Sequence, residues 1–158
     1  MKFLIAFLCK MSNLFTTCLN FSSHFVVLGV RAYLAKIFFW SGWLKLTAWS
    51  STLYLFEHEY KIIGMSPLVA AYLGTAAEVV LPIFLILGLG ARIPATLLFI
   101  FNIFNVIYYP VLLKPEFAAA LKDNIIWGIL IGILVLYGSG KISIDCWIQR
   151  RFCKEYKI

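Results

Sequence analysis

Residues 67–89 read PLVAAYLGTAAEVVLPIFLILGL, an apolar stretch of 23 residues with one charged side chain, Glu78, near its midpoint. A run of that length is long enough to cross the hydrocarbon of a bilayer as a single helix. Lipid offers backbone N–H and C=O groups no partners, so a spanning segment must satisfy them internally. A carboxylate at that depth is costly and calls for a partner, which marks Glu78 as a functional or assembly site.

Composition extends this from one segment to the chain. Of 158 residues, 63% are hydrophobic and only 13% are charged, against about 25% charged in an ordinary soluble domain. The length suits one domain. The net charge of +7 would also suit nucleic acid. Yet the basic residues cluster near the ends of apolar runs, where they set topology and meet anionic lipid. The bilayer is therefore the expected partner, and nucleic acid is not.

The expected fold is all-α, an integral membrane four-helix bundle with interfacial amphipathic helices. Spans fall at about 25–46, 67–89, 94–113 and 120–138. Residues 1–24 form an N-terminal extension. Within it Lys10, Asn13, Thr17 and Asn20 share one helical face, and Phe3, Phe7, Met11, Leu14 and Cys18 share another. That pattern suits a helix lying in the membrane interface. A signal peptide is the rival reading, weakened by a short apolar core before Lys10 and no small-residue cleavage site. A second interfacial helix follows the first span, where Trp49, Leu53, Phe56 and Tyr60 recur at helical spacing, with Thr47 or Ser50 as its N-cap. Ser66 and Pro67 make an N-cap and first-turn pair for the second span.

The chemistry candidates are few. Glu78 has cationic neighbours available in Arg31, Lys36 and Lys45 of the first span. Two readings stand: a charged site that binds or relays something, and an ion pair that holds the bundle together. Asn102 and Asn105, three residues apart in the third span, either line a polar pocket with Glu78 or hydrogen-bond between helices. Tyr108, Tyr109, Trp127 and Tyr137 lie towards span ends, where an aromatic belt is expected. A quinone head group would accept the same neighbours. His24 and His58 are the only histidines and neither lies deep in a span, which argues against a bis-histidine haem site. The His58 segment reads as a solvated turn, so no metal is expected. Cys9, Cys18, Cys146 and Cys153 form no CxxC pair and fall in the terminal segments, against a disulfide framework or a thiol oxidase.

Arg31, then FFWSGWLKL (38–46), LFEHEY (55–60), AAYLGTAAEVVLPIFLILGLGAR (70–92) and LYGSGKISID (136–145) together resemble the DoxX family, over roughly residues 27–148. Taken as a domain, the resemblance covers 25–148, leaving a basic tail at 149–158. It implies a small bacterial inner-membrane protein, a four-helix bundle related to the small subunit of thiosulfate:quinone oxidoreductase. Its implied role is an accessory or quinone-interacting subunit of a membrane oxidoreductase system, with quinone the only cofactor suggested and none bound covalently. Small-solute transport or binding through the same buried charges is the alternative, and a purely structural membrane partner is a third. Carried over by position, Arg31, Gly42, Lys45, Glu78, Arg92, Gly140, Ser143 and Asp145 match the family pattern. Many members carry a histidine at the start of the fourth span, where this chain has Asn124. Ser143 and Asp145 suit a cap as the chain leaves the membrane, and Arg92 suits a side chain that snorkels to head groups.

Four spans place both termini on the side of the Gly88–Pro94 loop. Nine lysines and arginines fall on that side, against Lys45, Lys61, Lys114 and Lys122 on the other, with Lys36 too deep to count. Positive-inside puts both termini in the cytoplasm. A reporter fused after Ile158 is expected to be active in the cytoplasm; activity confined to the outer face refutes the topology.

Overall fold

The computed structural model describes residues 2–60, 62–138, 140, 143–145, 147 and 151, and the side chains of these except 2–9, 14 and 18. The basic tail at 149–158, Arg151 apart, and the side chains of the four cysteines lie outside that description. Among the described residues five α-helices follow one another: α1 (Lys2–Thr47), α2 (Trp49–His58), α3 (Pro67–Leu87), α4 (Arg92–Tyr108) and α5 (Ala118–Tyr137). Two 3-10 turns, Pro110–Leu113 and Pro115–Phe117, join α4 to α5. No strand occurs among the described residues.

Helix α1 packs chiefly on α3, α3 on α4 and α4 on α5, and α5 returns to α1, which closes a four-helix bundle. Its core joins Leu34 and Phe38 of α1, Leu85 of α3, Leu98 of α4, and Ile131 and Leu134 of α5. Trp127 meets Phe38 edge-on, ring centres 6.0 Å apart. The outer face is the reverse of a soluble protein's: Tyr72, Ile100, Ile107 and Ile129 are all exposed. Among the described residues three helical stretches, Lys10–Thr47, Pro67–Leu87 and Pro115–Tyr137, are long and apolar enough to cross a membrane, and α4 is a shorter apolar helix. This is a membrane helical bundle.

Three boundaries differ from those expected. The N-terminal extension is not a separate helix: α1 runs unbroken for 46 residues, about 69 Å at the helical rise. No glycine or proline interrupts residues 10–28, and the hydroxyls of Thr17 and Ser23 bond back to the Asn13 and Asn20 carbonyls instead of competing with the ladder. Extending an existing helix is far easier than nucleating a second one. The third span is also shorter than 94–113, because α4 ends at Tyr108 and Pro110 begins a 3-10 turn. Proline has no amide to continue the α-ladder.

Helix α2 starts after Ala48, which makes no side-chain cap. The expected cap Thr47 instead donates its hydroxyl to the Trp43 and Leu44 carbonyls, each at 3.1 Å. Helix α2 is not a free surface helix either; Phe56 packs on Ala70 and Ala71 of α3. Ser66 caps α3 as expected, its hydroxyl accepting the Val69 amide at 3.4 Å, with Pro67 in the first turn.

The α1–α3 seam depends on Gly42. A β-carbon there would stand 2.7 Å from Val79 Cγ2 and 3.0 Å from the Glu78 backbone, whereas one on Gly29 would meet nothing. Overpacking a seam of this kind costs about 1–3 kcal/mol. Gly42→Leu is therefore expected to lower unfolding stability in detergent by that amount, with Gly29→Leu near wild type. Equal melting temperatures for the two variants would remove Gly42 from this role.

Candidate functional site

The close approach at Gly42 carries Lys45, nearly one turn further along α1, onto the inner face of α3. Its Nζ donates to both Oε1 and Oε2 of Glu78, each at 2.5 Å. Glu78 is 3% exposed. It stands eleven residues after Pro67 and nine before Leu87, near the middle of its helix. The carboxylate thus meets its partner at the depth where an unpaired charge is least tolerable. Pro82, four residues on and buried, has no amide to offer the Glu78 carbonyl. One turn earlier, the Thr75 hydroxyl is buried without a hydrogen-bond partner among the described residues.

Of the three cations available to Glu78, only Lys45 forms a salt bridge with it. Lys36 is exposed on the outer side of α1, beside Pro82 and Ile83. Arg31, 1% exposed, goes to the far end of α3, where its Nε donates to the Leu85 carbonyl at 2.8 Å and its second guanidinium nitrogen to the Ile86 carbonyl at 2.6 Å. Those carbonyls belong to the last turn, where helical partners run out. A cation there also complements the negative end of the helix dipole. Gly88 closes the same end in a left-handed conformation, φ 69°, under the Arg31 side chain.

The carboxylate of Asp145 serves the other side of that loop. It accepts the Gly90 amide at 2.7 Å and the Ala91 amide at 3.2 Å, at the start of α4, and it attracts Arg31. Asp145 therefore caps the α3–α4 turn rather than its own chain end. Ser143 donates to the Gly140 carbonyl at 3.1 Å. The Arg92 side chain lies over Gly138, near enough that a β-carbon there would stand 3.1 Å from its Nε. These resemblance positions gather at one end of the bundle and bind its loops together.

The two asparagines of α4 part company. Asn102 turns to α5, its amide donating to Asn124 Oδ1 at 3.3 Å, and Asn124 donates in turn to the Ala120 carbonyl at 3.0 Å. Asn124, at the position where a histidine was anticipated, thus serves helix packing here. Asn105 accepts the Tyr60 hydroxyl at 3.1 Å. Neither has a hydrogen bond to Glu78 among the described residues; each instead bonds to a neighbouring element, the second of the two roles open to them. Tyr60 is stacked between Phe56 and Tyr109, ring centres 4.5 and 4.9 Å away. Burial, reinforced by the nearby Glu78 carboxylate, holds its phenol well above the ordinary range. It is a neutral hydrogen-bonding group at any physiological pH.

Sequence reasoning passed over Tyr60 as a site residue, and with it a cavity of about 730 Å³ between α2, α3 and α4. Its place in the Trp49–Leu53–Phe56–Tyr60 stripe was the only signal, and any stripe of that kind reads first as packing.

Removing one member of a buried pair leaves the other charge stranded, at about 3–5 kcal/mol. Lys45→Met and Glu78→Leu are each expected to destabilise the bundle by that order, and the double variant to recover most of the loss, in a double-mutant cycle read by unfolding in detergent. Strictly additive losses would show that the two residues do not interact.

The DoxX family model matches residues 26–110, more than half of the chain. The matched range includes Arg31, Gly42, Lys45, Glu78, Arg92 and both asparagines, and stops short of the Gly138–Asp145 element. No curated protein and no solved structure matches the chain. On the extent of the family match, joined to a bundle of apolar helices, this chain belongs to the DoxX family of membrane proteins.

Proposed function

We propose that this protein is an accessory, quinone-interacting subunit of a membrane oxidoreductase system, in a bacterial inner membrane with both termini cytoplasmic. One observation carries the reading: a mid-depth ion pair, Lys45–Glu78, whose carboxylate is on the same α3 helix that, with the phenol Tyr60, lines a large apolar cavity. Ligand sites of this kind are concave, mostly apolar, and furnished with a few polar groups that fix orientation. In this reading Lys45 holds Glu78 in place, and Tyr60 and Asn105 furnish the polar groups of the cavity. Arg31, Asp145, Arg92 and the glycines maintain the scaffold, and Lys36 takes no part. The cofactor is a dissociable quinone.

Transport or binding of a small polar solute is the second reading. The Thr75 hydroxyl, one turn from Glu78 and without a partner among the described residues, favours it, because a buried polar group of this kind calls for a water or ligand partner.

Purification from native membranes in mild detergent, with mass spectrometry of what accompanies the protein, tests the proposal. A stoichiometric oxidoreductase subunit or extractable quinone is expected. Glu78→Gln is expected to be destabilised by the stranded Lys45 charge yet to fold, and to lose that company. A protein that comes alone and free of quinone would refute the reading in favour of solute transport. Loss of the fold in Glu78→Gln would assign the pair to assembly.

A further inference from the structure

The cavity between α2, α3 and α4 is polar at one end only. Tyr60, Asn105 and Tyr108 line it where α4 finishes, Phe101 lies midway against Gly74 beside Phe56, and Val80, Leu81 and Leu97 line it further along the helices. From Asn105 to Leu97 is eight residues of α4, about 12 Å along the axis. The polar end lies towards the ends of the helices and the apolar end towards mid-depth, which is how an amphiphile lies in one leaflet. None of the described lining residues carries a charge, so a phosphate head would find no cation among them. The chemistry present is one phenol held in an aromatic stack, a second phenol at Tyr108, and one amide. The Tyr60 hydroxyl occupies the Asn105 oxygen, which leaves the amide N–H groups with no partner among the described residues. If the amide is turned the other way, the carbonyl is left instead, so either way Asn105 keeps one hydrogen-bonding atom for a ligand. The volume lies within the usual range for small-molecule sites, roughly 300–1,000 Å³.

We propose that this cavity is a binding site for a neutral lipophile with a flat, carbonyl-bearing ring. The ring lies against the free edge of Tyr60 and beside Tyr108 and accepts a hydrogen bond from Asn105, and the apolar tail runs between α3 and α4 to Leu81 and Leu97. This deepens the quinone reading above and rests on it, by placing the head group at Tyr60–Asn105 and not against the Lys45–Glu78 pair.

The test uses the full chain in phosphatidylcholine nanodiscs with a photoactivatable azido-benzoquinone bearing a decyl tail, displaced by unlabelled decylubiquinone. Saturable adducts on the segments around Tyr60 and Asn105–Tyr108 are expected. Asn105→Leu is expected to weaken displacement about three- to tenfold, the range of one net hydrogen bond. Val80→Trp, which fills the tail end from a lipid-facing position (Val80 is 46% exposed), is expected to abolish labelling. Circular dichroism and melting of each variant confirm the fold. Saturable labelling that maps elsewhere, or that both folded variants retain, overturns this site and leaves the quinone reading standing. Absence of saturable labelling in the wild type overturns both. Displacement by phosphatidic acid as effective as by decylubiquinone overturns the neutral head group and marks a phospholipid site.

Discussion

An ion in hydrocarbon must find its counter-ion or leave the membrane, and the α1–α3 seam is arranged around that requirement. Lys45 and Glu78 meet in a two-pronged contact that fixes both the rotation of α1 about its axis and its height against α3. Coulombic attraction is strong where the surroundings do not screen it. It also tolerates little error, since either charge displaced from the other is left desolvated. Gly42 removes the side chain that would hold the two backbones apart, so the small residue and the charged pair act as one device.

At the opposite end of the bundle the same economy appears in backbone chemistry. The α3–α4 turn exposes the last carbonyls of one helix and the first amides of the next. A cation, Arg31, takes the carbonyls and an anion, Asp145, takes the amides, each from an element outside the turn. Because the two also attract each other, the turn is bracketed by a single charge-balanced unit. That unit ties α1 and the segment after α5 to the α3–α4 hairpin.

Much of this was legible in the residues. The apolar runs and their punctuation gave the helical class, and Ser66–Pro67 gave the start of α3, because burial in lipid and capping are local demands. Glu78 stood out since a lone carboxylate has no other reason to sit in such a run. The choice among Arg31, Lys36 and Lys45 was not legible. Helical spacing put Arg31 and Lys45 on one face, yet only a tertiary register decides which reaches mid-depth. The asparagines were readable as hydrogen-bonding groups between elements, and they are; which neighbours they find was not legible, because three residues apart they point in different directions around α4. The unbroken α1 was missed because amphipathicity in residues 3–21 reports which face prefers water, and says nothing about whether the helix stops. Tyr60 and its cavity arise from α2 folding back on α3, a contact that no local pattern encodes.

The pairing of Arg31 and Lys45 has a temporal side. Each lies far ahead of its partner in the chain, Lys45 by 33 residues and Arg31 by 54 from the carbonyl of Leu85. During synthesis the first helix leaves the ribosome carrying two cations whose partners do not yet exist. It is thus the least comfortable of the helices in lipid until α3 arrives beside it. The first two spans are in this sense a single unit of insertion: the charges that stabilise the finished bundle are the same ones that keep its opening segment from being at home in the membrane alone.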